Sequence, residues 1–569
     1  MKNMKHVGYP RTLSIVLCIA MLLALAVGCA TATPTQGSTP TAAPTDEVID
    51  PIGKYDPPID ATLIGFAEFT EIAKGLGEEL EDNRWIQTIR DELGINCSYL
   101  WVAANDEQYQ TKFNLALASG EIPDITRVGL TNMVKMVEAG LVQDISGTLK
   151  YLNPIGKKIF EDAGDTPFEQ GSVNGVLYGL PFVNDFREDS NFLFLRTDWL
   201  TKLDLQPPKT MDELITIIKA FVDNDPDGNN VKDTRGLGLK NELISWGGCT
   251  LKGFFEGYHA NPNIWVEKNG KLEWGSIQPE IKTALAKLNE LYNGGYIDPE
   301  FAVKDHDKVW EEVSSGKIGA WYGQHWAGLM LSASRSNNPD ADWRPYPIVS
   351  ADDKKAMVGC VNPTQEFWVV RKGYEHPEAL IKMLNKYYEK NYDPELHEFD
   401  RLGIVKKTDG SGSDTFTFSE AWKLSPVLTY KASLNAEYDL QLREPLKTGD
   451  SSKLWGEALT VFNQVVEGAK GDLTNYGWQF VYGPTSTWYI VNENYNVNNV
   501  WILDGFYGTP TPTMLTKKST LDTMQEEVFT KIIMGQEPLT AFDKFVADWK
   551  SLGGDDITKE VNDWKAAQK

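Results

Sequence analysis

Between residues 225 and 234 the chain reads Asp-Pro-Asp-Gly-Asn-Asn-Val-Lys-Asp-Thr. Alternate positions of a tight loop point inward, so Asp225, Asp227 and Asn229 face one centre, and Gly228 permits the sharp turn. The carbonyl of Val231 and the carboxylate of Asp233 would complete an oxygen cage. Oxygen-only ligation with several carboxylates suits Ca2+ rather than Zn2+, in the role of a structural staple. The loop is similar to that of an EF-hand but lacks its terminal bidentate Glu. Thr234 stands near that place, and Asp223 is a possible substitute. The alternative is a solvated acidic turn with no metal.

A second chemistry lies in the 18 Trp residues. Several sit beside Gly, Asn or Gln, outside core periodicity: Trp246 before Gly247-Gly248, Trp321 and Trp326 flanking Tyr-Gly-Gln-His, Trp455 before Gly456, and Trp478 after Gly477. Sugar rings pack their C–H faces on aromatic faces, while their hydroxyls need polar partners at the ring edge. Trp offers a large apolar face and one N–H donor, which suits a cleft that is apolar on one side and wet on the other. Any one Trp is more often core than platform; the group carries the reading.

Other chemistries are thinly supported. There are 6 His, and no His-Glu-x-x-His, Gly-x-Ser-x-Gly or phosphate-binding Gly-rich loop. His325 would need a partner to act as a base. Of the 5 Cys, Cys97, Cys249 and Cys360 lie in the body of the chain, an odd set in which one bridge at most could form. No Cys-x-x-Cys exists, which disfavours zinc and redox sites. The net charge of −25 excludes the basic stripe that nucleic acid demands and favours a soluble monomer.

The elements that must position these residues begin after a leader. Lys2, Lys5 and Arg11 precede an apolar run from Leu13 to Val27, and Gly28-Cys29 closes it, as in an export signal over residues 1–28. Cys29 after a small residue is similar to a bacterial lipobox, which marks it for acylation. A Thr/Pro-rich tether is expected over residues 29–58. Strands are then predicted over 61–66, 97–102 and 125–128. Helices over 85–93, 108–118 and 133–139 stop at Gly94, Gly120 and Gly140. This alternation implies βαβ units and a parallel sheet. Thr210-x-x-Glu213 is a capping box for a helix that must end before Pro226. Residues 389–419 are polar and Gly-rich, as in an insertion, and helices over 521–534, 540–549 and 557–564 close the chain.

Six segments in register carry a resemblance: Ala118-Ser-Gly-Glu-Ile-Pro-Asp-Ile125, Gly175-Val-Leu-Tyr-Gly-Leu-Pro181, Arg196-Thr-Asp-Trp-Leu200, Pro208 to Leu214, Ser315-Gly-Lys-Ile-Gly319 and Gly508-Thr-Pro-Thr511. Together they resemble the family 1 extracellular solute-binding proteins that feed oligosaccharides to ABC transporters. The resemblance implies a two-lobed α/β periplasmic-binding-protein-like fold (type II), with lobes joined by hinge crossings. The expected lobes are 59–187 with about 346–400, and 188–345 with about 401–569. It further implies Ca2+ in the 225–234 loop, away from the cleft. Asp185 and Arg187, just after the crossing-like segment, join the five Trp as candidate ligand contacts. The expected function is capture of an oligosaccharide and its delivery to an ABC permease, from a lipid anchor on the outer face of the bacterial membrane and without catalysis. A surface-anchored glycan-degrading enzyme and a peptide-binding lipoprotein are the alternatives.

Overall fold

The computed structural model describes residues 50–393 and 420–568, with the backbone of 404–408 and 414–418. The expected leader, Cys29 and the expected tether up to residue 49 lie outside the described residues, as does part of the 389–419 stretch. Within that stretch, Ile404–Thr408 and Asp414–Phe418 pair as an antiparallel hairpin.

The principal elements begin with β1 (Ile59–Phe66), α1 (Arg84–Leu93), β2 (Ile95–Ala103), α2 (Asp106–Ser119), β3 (Ile125–Gly129), α3 (Leu130–Glu138) and β4 (Gly179–Pro181). Next come β5 (Asn191–Arg196), α4 (Met211–Asp223), β6 (Gly248–Thr250), β7 (Ala320–Gln324), β8 (Trp343–Tyr346) and β9 (Val358–Cys360). The chain closes with β10 (Glu366–Val370), α5 (Ala379–Tyr392), β11 (Trp501–Leu503), α6 (Pro512–Ile533), α7 (Ala541–Trp549) and α8 (Asp555–Ala567).

Local rules account for the ends. The Asn83 side chain accepts the N–H groups of Trp85 and Ile86 to start α1, and Gly94, at φ 68°, stops it. At α4 the Thr210 hydroxyl caps Glu213 N at 3.2 Å, but Glu213 reaches back to Lys209 N (2.6 Å) rather than to Thr210. The capping box is therefore displaced by one residue.

Two lobes follow from where apolar side chains gather. The first lobe holds residues from Ala61 to Val183 and from Phe367 to Leu428 in two neighbouring clusters. The second unites Phe192 to Cys360 with Ala436 to Val561. This moves the expected boundaries. Ile348, Val349 and Val358 pack in the second lobe, because β8 pairs with β5 and β9 with β11. Leu424, Val427 and Leu428 pack in the first. Packed chain also begins before residue 58, the expected end of the tether: Lys382 Nζ donates to Gly53 O (2.9 Å), Asn385 Nδ2 to Pro51 O (2.8 Å) and Tyr55 OH to Glu378 (2.8 Å).

Only part of the sheet structure is parallel. β1 and β2 pair in parallel, whereas β10 enters antiparallel between β3 and β4. In the second lobe the order β8-β5-β7-β6 is antiparallel throughout. The expectation of a parallel sheet came from the βα alternation near the start of the first lobe; β10 enters that lobe antiparallel from far along the chain, and the second lobe does not share the alternation. Cys97, Cys249 and Cys360 are buried and unbridged.

Candidate functional site

Three stretches cross between the lobes, near residues 183–191, 361–366 and 429–435. The first and third are tied where Tyr430 N donates to Val183 O (3.2 Å) and Thr429 Oγ1 bonds the same carbonyl. The first and second are tied at Asp189. Its carboxylate accepts Val361 N at 3.0 Å and the Lys252 ammonium, and Lys252 also donates to Asp189 O at 3.0 Å. Burial pulls Lys252 down, but the charges of Asp189 and Glu256 more than reverse this and hold it above its usual range. Glu256 is itself fully buried and takes Gly359 N at 2.9 Å; burial pushes its carboxyl up to about 8.

A polar chain runs beside these crossings. The Trp488 indole can only donate, and it bonds His325 Nδ1 at 3.0 Å. His325 therefore carries its proton on Nε2, which faces Glu188 Oε2. The other Glu188 oxygen accepts Asn435 Nδ2 at 2.7 Å, and Tyr482 OH donates to the Asn435 carbonyl oxygen. The partner of His325 is thus supplied from a distant crossing.

The first lobe presents a concave wall of about 360 Å³ at the carboxyl ends of β1 and β3, where open α/β sheets commonly hold ligands. Phe66, the last residue of β1, stacks on Tyr109 of α2 (5.4 Å, 21°), which stacks on Phe113 (5.5 Å, 11°). Beside them the Arg127 guanidinium lies 4.5 Å above Phe182 and 3.4 Å from Glu366. Register explains the meeting: β10 sets Glu366 opposite Gly129 and Trp368 opposite Arg127. Asn132 and Gln110 complete a rim of amides. The wall can offer aromatic faces to C–H groups and a guanidinium, a carboxylate and amides to hydroxyls.

The sequence-derived candidates scatter around this frame. Trp321 is a correction. It is 0 % exposed and stacks on Phe194 at 4.0 Å with Trp310 edge-on at 5.1 Å, because β7 is buried between β5 and β6. Trp246 is 51 % exposed and stacks with Trp326 (6.4 Å, 27°) at the end of the β6–β7 pair. Trp478 stacks on Tyr482 (6.1 Å, 13°), and Trp455 stands at the start of helix Gly456–Ala469. Asp185 and Arg187 bind each other in the first crossing, Arg187 Nε meeting Asp185 Oδ1 at 2.8 Å. Burial raises the Asp185 carboxyl in spite of that pairing.

The 225–234 loop turns as expected, with Asp225, Gly228 and Asn230 at φ 48°, 76° and 61°. Asn229 Nδ2 bridges Asp227 Oδ2 (2.8 Å) and Asp233 Oδ1 (3.0 Å), while Asn229 Oδ1 accepts Val231 N (2.6 Å). Asp225 Oδ1 is buried with no hydrogen-bond partner. Burial, and then the neighbouring Asp225, raise Asp227. Among the described residues no three His, Cys, Asp or Glu side chains already stand as a metal site.

Two cored α/β lobes, pinned crossings and a concave wall at strand ends define a two-lobed binding protein of the periplasmic type. The chain belongs to the family of bacterial extracellular solute-binding proteins, which it matches over residues 94–392. Lipoprotein LipO of Bacillus subtilis (strain 168) is 25 % identical over 492 residues, 84 % of this chain and 88 % of the relative. The polygalacturonan/rhamnogalacturonan-binding protein YtcQ of the same strain is 24 % identical over 493 residues, with the same two shares. The fold is similar to that of the alginate-binding protein AlgQ2 without calcium ion (TM-score 0.61, 15 % identity, 90 % of this chain and 99 % of that one). It is also similar to FusA of S. pneumoniae in complex with kestose (TM-score 0.61, 16 % identity, 90 % and 100 %).

Proposed function

We propose that this protein is the lipid-anchored substrate-binding component of an ABC importer, capturing an oligosaccharide between its lobes and handing it to the permease. One observation carries the reading: the stacked Phe66 and Tyr109 rings, backed by the buried Phe113, meet the Arg127–Glu366 pair on one concave wall. The names of YtcQ and FusA, which bind polymeric or oligomeric sugars, support it. Binding would favour closure of the second lobe over the wall, and release at the permease would reverse it. No covalent step on the saccharide is part of this function.

Anchoring through acylated Cys29 and action as a monomer belong to the same proposal. So does a structural Ca2+ held by Asp225, Asp227, Asn229, the Val231 carbonyl and Asp233. The unpartnered buried oxygen of Asp225 and the crowded Asp227 carboxylate support it. A bound ion would neutralise those charges; Asn229 would have to turn its oxygen inward to join.

The test is calorimetric titration of the tether-free protein with tri-galacturonate, 1-kestose and matched oligopeptides, followed by recovery of the ligand. The reading expects saccharide binding with the sugar recovered intact. Cleavage of the sugar, or binding of peptides alone, overturns it.

A further inference from the structure

A second groove, lined by both lobes, lies against the crossings and shares no residue with the wall that holds Tyr109 and Arg127. Its floor is Phe186, Asn362 and Pro363. One side is the short helix Thr166–Gln170 of the first lobe, and the other is β11 with α8 of the second. Two adjoining cavities of about 600 and 540 Å³ share Tyr507, Trp564 and Gln568, each within the usual ~300–1,000 Å³ of small-molecule sites.

The lining has the chemistry of a hydroxylated ring. Trp564 meets Phe506 and Tyr507 edge-on at 4.9 and 4.6 Å. Gly508 makes that approach possible, since a Cβ there would lie 2.6 Å from Trp564 Nε1. Among the described residues nothing accepts a hydrogen bond from that indole N–H. Gln170, only 3 % exposed, also lines the groove. That side chain can both donate to and accept from a hydroxyl. Asp504 directs Oδ1 to the N–H groups of Trp265 and Phe506, both at 3.0 Å, which leaves its second oxygen as an acceptor. Burial pushes that carboxyl up to about 7, so near neutrality it can donate as well. The nearby Lys565 is already paired with Glu267 at 2.7 Å.

We propose that this groove is a second saccharide site, which takes a short sugar segment against Trp564 and bridges the two lobes independently of the first-lobe wall. The proposal does not depend on which sugar the wall takes.

Equilibrium dialysis with 1-kestose and with tri-galacturonate tests it on the tether-free chain. Wild type should bind two equivalents of at least one of them. Arg127→Ala with Tyr109→Ala should remove one equivalent, and Trp564→Ala or Gln170→Leu should weaken the other at least tenfold. In wild type, amide exchange at residues 165–175 and 503–509 should slow only when the second equivalent binds; this reading needs no substitution. One equivalent, lost entirely with the wall substitutions, overturns the groove and leaves the wall standing. One equivalent lost only with Trp564→Ala overturns the wall instead. A second equivalent that survives both groove substitutions, or that tri-alanine displaces, also overturns the proposal, and no bound saccharide at all overturns both.

Discussion

Asp189→Ala should be among the most damaging substitutions in the protein although it touches neither candidate sugar surface. The Asp189 and Lys252 side chains are 12 % and 9 % exposed, so their charges meet largely out of water. The same carboxylate holds Val361 N at 3.0 Å and the Gln324 amide at 3.4 Å, which joins two crossings to β7. Truncation strands the Lys252 ammonium, and breaking a buried pair in this way costs about 3–5 kcal/mol. Glu256 lies beside Lys252, and its carboxyl is raised first by burial and further by Asp189. In the variant it can ionise and take up part of the stranded charge, so about 3 kcal/mol is the better figure. Asp189→Asn keeps an acceptor for Val361 and should lose less. Asp189→Leu with Lys252→Met removes both charges and should recover most of the stability. The assay is urea unfolding at pH 7 followed by Trp emission. An Asp189→Ala variant within about 1 kcal/mol of wild type would refute the pinning argument.

Other substitutions separate core from site. Trp321→Ala should destabilise by about 3–5 kcal/mol in thermal melts while the folded fraction binds saccharide with unchanged affinity. Tyr109→Ala should weaken saccharide binding by about 1–2 kcal/mol in calorimetry with little loss of stability; no change would remove the wall from the site. Glu256 is raised to about 8 in the fold, so the protonated form favours folding and this contribution is lost as pH rises toward 8. Wild type should therefore lose stability relative to Glu256→Gln between pH 5 and pH 8, and parallel curves would contradict this. Removal of Ca2+ by EGTA should lower the melting temperature, and Asp225→Asn with Asp227→Asn should abolish that difference. Identical melts with and without chelator argue against the ion.

The sequence exposed local signals and hid convergences. Gly94, Gly120 and Thr210 act where the chain must start or stop a helix, so those ends were readable from neighbours alone. The 225–234 turn was readable for the same reason. Trp321 was misread because β7 is covered on both faces: Ala320–Gln324 shows no alternation, and its Gly and Gln look like a loop edge. Arg127 and Glu366 are 239 positions apart and meet only because β10 slots between β3 and β4. Arg127 had one available signal, its position near the carboxyl end of the predicted strand over 125–128; Glu366, at the start of β10, had none. The lobe boundaries shifted for a related reason, since β8 and β9 find partners from far along the chain.

Small-angle X-ray scattering on the tether-free protein, with and without a saturating saccharide taken from the calorimetric screen, tests the binding account most directly. The radius of gyration should fall as the second lobe closes on the Tyr109–Arg127 wall, and the sugar should be recovered unaltered. Identical profiles at full occupancy, or a shortened sugar, would contradict it.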